Sequence, residues 1–133
     1  MMETIKLSNG VEMPLLGYGV FLVSPQECER CVTDALSAGY RLIDTAQAYQ
    51  NEEGVGAAIT KSGIRRDELF LTTKVWISNA GEEKAAKSID ESLRKFQYVY
   101  PAAGDDHSGV RLTPDELKEL SGAVAWVDVC KEK

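Results

Sequence analysis

The chain has 133 residues, enough for one domain with a real core. Its composition, 44% hydrophobic and 27% charged, is ordinary for a globular protein and excludes disorder throughout. A formal charge of −6 with no basic stripe excludes a nonspecific nucleic-acid binder, which needs clustered Lys and Arg against phosphates.

No run approaches the ~18 apolar residues of a membrane span, and Met1-Met2-Glu3-Thr4-Ile5-Lys6 lacks an apolar signal region. A cytoplasmic protein is expected. Cys28, Cys31 and Cys130 are odd in number, which disfavours a secreted disulfide framework. Cys28-Glu29-Arg30-Cys31 has a redox or zinc spacing. However, Cys28, Cys31, Val32, Ala35 and Leu36 recur at helical intervals, so the thiols read as a buried helix face. A zinc ion would need two more ligands, with only Cys130 and His107 as candidates, so no metal is expected.

In chain order, Ile5-Lys6-Leu7-Ser8 and Val11-Glu12-Met13 alternate around Asn9-Gly10, a hairpin signal whose two turn positions both call for positive φ. Residues 15–20 read as a short strand in which Gly17 and Gly19 permit close backbone approach. Ser24-Pro25-Gln26-Glu27 spells a capping box with proline at the first helical position, and Gly39 ends that helix. Residues 41–44 form a strand. Asn51 caps a second helix with Val55, Ala58 and Ile59 inward and Gly63 at its close. Residues 69–76 read as a buried strand, and a third helix runs from 82 to about 96 with Ala85, Ile89, Leu93 and Phe96 on one face. The order, hairpin then β-α-β-α-β-α, opens a parallel α/β protein.

After Gln97 the pattern changes. Tyr98-Val99-Tyr100 begins like a further strand, and Pro101-Ala102-Ala103-Gly104-Asp105-Asp106 breaks it. Thr113-Pro114-Asp115-Glu116 is a second capping box, introducing a helix with Leu117, Leu120, Val124 and Val127 on one side. The expected organisation is therefore residues 1–97 as one α/β unit and 98–133 as a divergent tail with a helix from about 113.

Three residues at the ends of these strands carry chemistry: Asp44, Tyr49 and Lys74. Parallel strands bring Asp44 and Lys74 to one C-terminal sheet edge, where open α/β sheets and barrels keep their sites. A phenol beside an ammonium becomes a usable proton donor, because the positive charge favours the phenolate. A carboxylate within reach holds that ammonium in place. Taken singly, each has a plainer reading: Asp44 as a cap, Tyr49 as an amphipathic surface tyrosine, Lys74 as a solvated lysine.

The motifs around them resemble the aldo-keto reductase family. Gly39-Tyr40-Arg41-Leu42-Ile43-Asp44-Thr45-Ala46 to Tyr49, with Asn51-Glu52 and Gly56, is similar to its second-strand signature. Leu71-Thr72-Thr73-Lys74-Val75-Trp76 is similar to its third, and Met13-Pro14-Leu15-Leu16-Gly17-Tyr18-Gly19-Val20-Phe21 to its first strand. The resemblance implies a partial (β/α)8 TIM barrel: an N-terminal hairpin plugging the bottom, the first three β-α units, and a divergent tail helix. A complete barrel takes ~250 residues.

The resemblance further implies an NADPH-dependent reduction of an aldehyde or ketone to an alcohol. Tyr49 matches the proton donor, Lys74 the lysine that tunes it, and Asp44 the paired carboxylate. Phe21 and Trp76 match pocket-lining aromatics, with core packing as the plain alternative. The family also uses a histidine to orient the carbonyl. His107 falls at about the right separation from Lys74, in a polar, turn-like context that equally suits a solvated surface residue. Gly19, Val20, Phe21 and Asp44 are placed to touch the nicotinamide end of NADPH. The family's phosphate-gripping residues have no match in context; Lys61-Ser62 and Lys87-Ser88 lie in or at the ends of helices. The alternative is a truncated, non-catalytic family fragment acting through partners or through self-association at an exposed sheet edge.

Overall fold

A computed structural model describes residues 2–96, and the expected tail, with His107 and the helix from about 113, lies outside the described residues. The chain divides into two compact units, Met1–Lys74 and Val75–Lys133.

The first unit opens with a hairpin of β1 (Thr4–Lys6) and β2 (Glu12–Pro14), paired antiparallel with Ile5 opposite Met13. Its turn differs from the expected two-residue type. Gly10 takes φ 88° while Asn9 does not enter the left-handed region. Gly10 N–H donates to Leu7 O at 2.9 Å and Leu7 N–H to Val11 O at 2.8 Å, giving a three-residue loop with a left-handed glycine. Asn9 acts through its side chain, accepting the Val11 N–H at 3.1 Å.

A three-stranded parallel sheet follows, built from β3 (Gly17–Gly19), β4 (Leu42–Asp44) and β5 (Phe70–Thr72) in that order. The register sets Gly19 opposite Asp44 and Asp44 opposite Thr72. All three strands are shorter than the sequence pattern implied, although Val20 N–H still donates to Asp44 O at 3.0 Å. Gly17 is crowded, since a Cβ there would lie 2.4 Å from a Leu42 methyl, which would have to shift. Gly19 is not: a Cβ there meets nothing within 4 Å, because it stands at the open C-terminal end of the sheet.

Between the strands run α1 (Pro25–Ser37) and α2 (Glu52–Ser62). Pro25 occupies the first turn as expected, but the Ser24 side chain makes no capping bond; its carbonyl accepts from both Glu27 and Cys28 N–H instead. The far end closes as a Schellman turn. Gly39 (φ 106°) donates to Leu36 O, and Tyr40 donates to Ala35 O, both at 3.1 Å. Cys28, Val32, Ala35 and Leu36 of α1 are buried, as are Val55, Ala58 and Ile59 of α2. Cys28 is fully covered and Cys31 partly so, both as free thiols. The helices meet at Gly54, where a Cβ would sit 2.8 Å from the Cys28 Cβ. Gly63, at φ 68°, ends α2.

In the second unit, a 3-10 turn (Ile77–Asn79) precedes α3 (Glu82–Lys95). Its buried line is Ala85, Ser92 and Phe96, with Ile89 and Leu93 only partly covered. The 85-92-96 spacing follows the helical repeat with a serine at the position where the apolar pattern pointed to Leu93. No helix among the described residues is long and apolar enough to cross a membrane.

Candidate active site

The C-terminal ends of β4 and β5 gather the charged pair. Lys74 Nζ donates to Asp44 Oδ1 at 2.9 Å, to Asp44 Oδ2 at 2.8 Å and to the Thr45 carbonyl at 3.0 Å. An ammonium has three N–H groups, and these three oxygens match them in number. The Asp44 carboxylate also accepts from the Thr72 hydroxyl, its register partner one strand away. Both charged side chains are half-buried, so the pair is screened less than a surface ion pair.

Tyr49 reaches the same place from a 3-10 turn (Gln47–Tyr49) that follows β4. Backbone pairing extends past the strands and pins this turn: Thr45 N–H donates to Thr72 O at 2.9 Å and Gln47 N–H to Lys74 O at 3.2 Å. Gln50, in the left-handed region at φ 56°, ends the turn. The Lys74 ammonium then lies over the Tyr49 ring, 5.3 Å from its centre, in cation–π geometry. Phe21 packs on the same phenol with ring centres 5.2 Å apart and planes inclined by 52°.

Asp44, Tyr49, Lys74 and Phe21 thus converge as their positions in the motifs implied. Phe21 is 65% exposed, so it is no core residue. Trp76, partly exposed, belongs to the second unit, at the N-terminal side of its 3-10 turn. His107 lies outside the described residues.

Of the residues expected to touch the nicotinamide end of a dinucleotide, Gly19 and Asp44 stand together at this edge. The space at Gly19 is open and its register partner is Asp44, with Phe21 exposed two residues on; Val20 is fully buried, so only its backbone could take part. The two Lys-Ser pairs do not form a phosphate grip: Lys61 is ion-paired with Glu29, and Lys87 with Glu83 at 3.1 Å. Among the described residues no cluster of His, Cys, Asp and Glu could hold a metal ion.

Sequence reasoning missed the buried polar frame behind these groups. Asn51, expected as a helix cap, makes no side-chain cap bond; its amide turns inward to other segments. The Thr73 hydroxyl donates to the buried Glu52 at 2.6 Å, tying the strand end next to Lys74 to the start of α2. The signal was present as polar residues directly beside motif residues, Thr72-Thr73 before Lys74 and Asn51-Glu52 after Tyr49.

Residues 16–103 match the family model described as "Aldo/keto reductase family". A glyoxal reductase from Bacillus subtilis is 48% identical over 99 residues, which cover 74% of this chain and 36% of that protein. The crystal structure of an aldo/keto reductase from Brucella melitensis superposes with a TM-score of 0.71 at 52% identity, over 73% of this chain and 37% of the other. A Bombyx mori aldo-keto reductase in complex with NADP gives 0.72 at 29% identity, over 96% and 48%. The chain spans about a third of the length of the first two. With the model match covering β3 through α3, and with the motif side chains meeting at one sheet end, the chain belongs to the aldo/keto reductase family.

Proposed function

We propose that this chain carries the proton-donating part of an NADPH-dependent carbonyl reductase, with Tyr49 protonating the oxygen of an aldehyde or ketone as it becomes an alcohol. The observation that carries this reading is the Lys74 ammonium, held by Asp44 and facing the Tyr49 ring at 5.3 Å. Bound over Gly19 and beside Asp44, the dinucleotide would supply the hydride. The chain's residues do the rest. Tyr49 O–H points its proton at the carbonyl oxygen, and the neighbouring ammonium favours the negative charge that transfer leaves on the phenol. Asp44 and Thr72 keep the ammonium and carboxylate from drifting. Phe21 supplies an apolar wall beside the phenol. The relative named glyoxal reductase supports a small aldehyde as the substrate, and free thiols with an odd cysteine count support a cytoplasmic setting.

A second reading, a non-catalytic family member acting through self-association, draws on the sheet. Among the described residues, β3 and β5 each pair on one side only. The two readings separate in one experiment: titration of the purified chain with NADPH followed by nucleotide fluorescence, then turnover of glyoxal. Saturable binding with turnover supports the reductase. Absence of both removes it and leaves the second reading.

A further inference from the structure

Asn51 is 1% exposed, and its side chain bonds two other segments, the turn at 20–23 and Thr45. Its Nδ2 donates to the Val20 and Val23 carbonyls, each at 3.0 Å, and its Oδ1 accepts from the Thr45 hydroxyl at 2.6 Å. Two carbonyl oxygens can face only the nitrogen, so the amide orientation is determined chemically. Its backbone carbonyl is used as well, accepting from Val55 N–H at 3.2 Å and from Cys28 Sγ at 3.4 Å.

The two clamped carbonyls bracket Phe21 and Leu22. Val23 N–H closes the turn on Val20 O at 3.1 Å, and Leu22 sits at φ 63°, a left-handed conformation that a leucine seldom takes. Val20 anchors the start of this turn in the core, but Leu22 is 86% exposed and Phe21 65%, so burial does not hold those two positions in place. On the other side, Gln50 at φ 56° separates Tyr49 from Asn51. A left-handed residue therefore stands next to each of the two packed rings, and the Asn51 residue adjoins both. Such conformations persist where surrounding bonds over-determine them, and they gather at functional sites.

We propose that Asn51 is a positioning residue whose amide seats the Phe21 ring against Tyr49 and so shapes the wall beside the proton donor. Its consequence for turnover rests on the reductase reading; the ring placement itself does not. Asn51→Asp isolates the role. Aspartate caps a helix as well as asparagine does and still accepts from Thr45, but it presents an oxygen where two carbonyls need a donor. Thr45→Val is a milder companion that takes the donor from the amide oxygen, leaves Nδ2 on its two carbonyls and loosens the side chain without adding charge.

The test is solution NMR on the full chain, reading Phe21–Tyr49 ring contacts and amide exchange, alongside glyoxal kinetics. In both variants the ring contacts should weaken and the amides at 21–23 should exchange at least about tenfold faster, while α1 and α2 keep their protection. Turnover should fall about tenfold to a hundredfold in kcat/KM, chiefly through KM, because a wall has moved and not the donor. Unchanged ring contacts in Thr45→Val and in any folded Asn51→Asp overturn the inference, as does protection lost evenly across α1 and α2. Full turnover in Tyr49→Phe would instead overturn the reductase reading and leave the ring-contact result standing.

Discussion

Lys74 holds both oxygens of Asp44, at 2.9 and 2.8 Å, across 30 residues of sequence. The reach is short because β4 and β5 are parallel neighbours with Asp44 opposite Thr72, so both side chains leave the same end of the sheet. The ammonium is thereby fixed over the Tyr49 ring. Lys74→Met removes the only positive charge described against that phenol and leaves the Asp44 carboxylate without its cation. Turnover should fall by about 10² or more, with dinucleotide binding changed far less. A Lys74→Met protein that keeps normal turnover would remove the ammonium from the mechanism.

Tyr49→Phe keeps the ring that packs on Phe21 and the face that meets Lys74, and deletes only the transferable proton. On the proposed reductase role, loss of the acid step lowers kcat by about 10²–10⁴ while NADPH affinity stays within a few-fold. Steady-state kinetics with a fluorescence titration on the same preparation separate these two quantities.

The β-α-β order, the inward faces of α1 and α2 and the sharing of one sheet end by Asp44 and Lys74 were legible in the sequence, since a βαβ unit makes its strands parallel. Tyr49 was placed beside them by the family resemblance. Side-chain hydrogen bonds were not legible. Asn51 has the composition of a helix cap and the local position of one, and only the fold reveals that Val20 and Val23 lie within reach of its amide. Asn9-Gly10 fails for a related reason: the dipeptide suits two turn types, and a side-chain bond from Val11 N–H to Asn9 favours the one with a single left-handed residue. Ser24 shows the same ambiguity, its hydroxyl left out of a cap that its carbonyl already satisfies.

Cys28 is fully covered, and burial, with a smaller contribution from the Cys31 thiol, pushes its own thiol up to about 11. Its reactive thiolate is therefore scarce near neutrality. At pH 8, peptide mapping after brief iodoacetamide treatment should find Cys31 modified well before Cys28, with the difference erased in urea. Above the ordinary value of 9.0 the unfolded chain releases this proton while the folded chain keeps it. Stability should thus decline as pH rises from 9 toward 11 and be unaffected by this group below 9. Equal labelling rates in the folded protein would show that the thiol is not covered.

Gly54 costs α2 helix propensity, so alanine there would ordinarily stabilise by about 1 kcal/mol. Here the added Cβ would lie 2.8 Å from the Cys28 Cβ and 3.1 Å from the Glu29 nitrogen, against rigid helix backbone. Overpacking of this kind costs about 1–3 kcal/mol, so Gly54→Ala should melt at a lower temperature than the parent. A higher melting temperature would mean that α1 and α2 separate at no cost.

Among the described residues, β3 is unpaired on one side. Val20 N–H donates inward to Asp44 O, and donors alternate along a parallel strand, so the Gly19 N–H faces the unpaired edge. A strand edge of this kind templates pairing with another chain unless something covers it. Sedimentation velocity over a range of concentrations should show self-association. Gly19→Pro should weaken it by removing the outward donor, and the space there is open, with nothing within 4 Å of a Cβ. A chain that stays monomeric at every concentration, with or without the proline, would show that this edge is covered within the molecule and would remove self-association as the basis of any non-catalytic role.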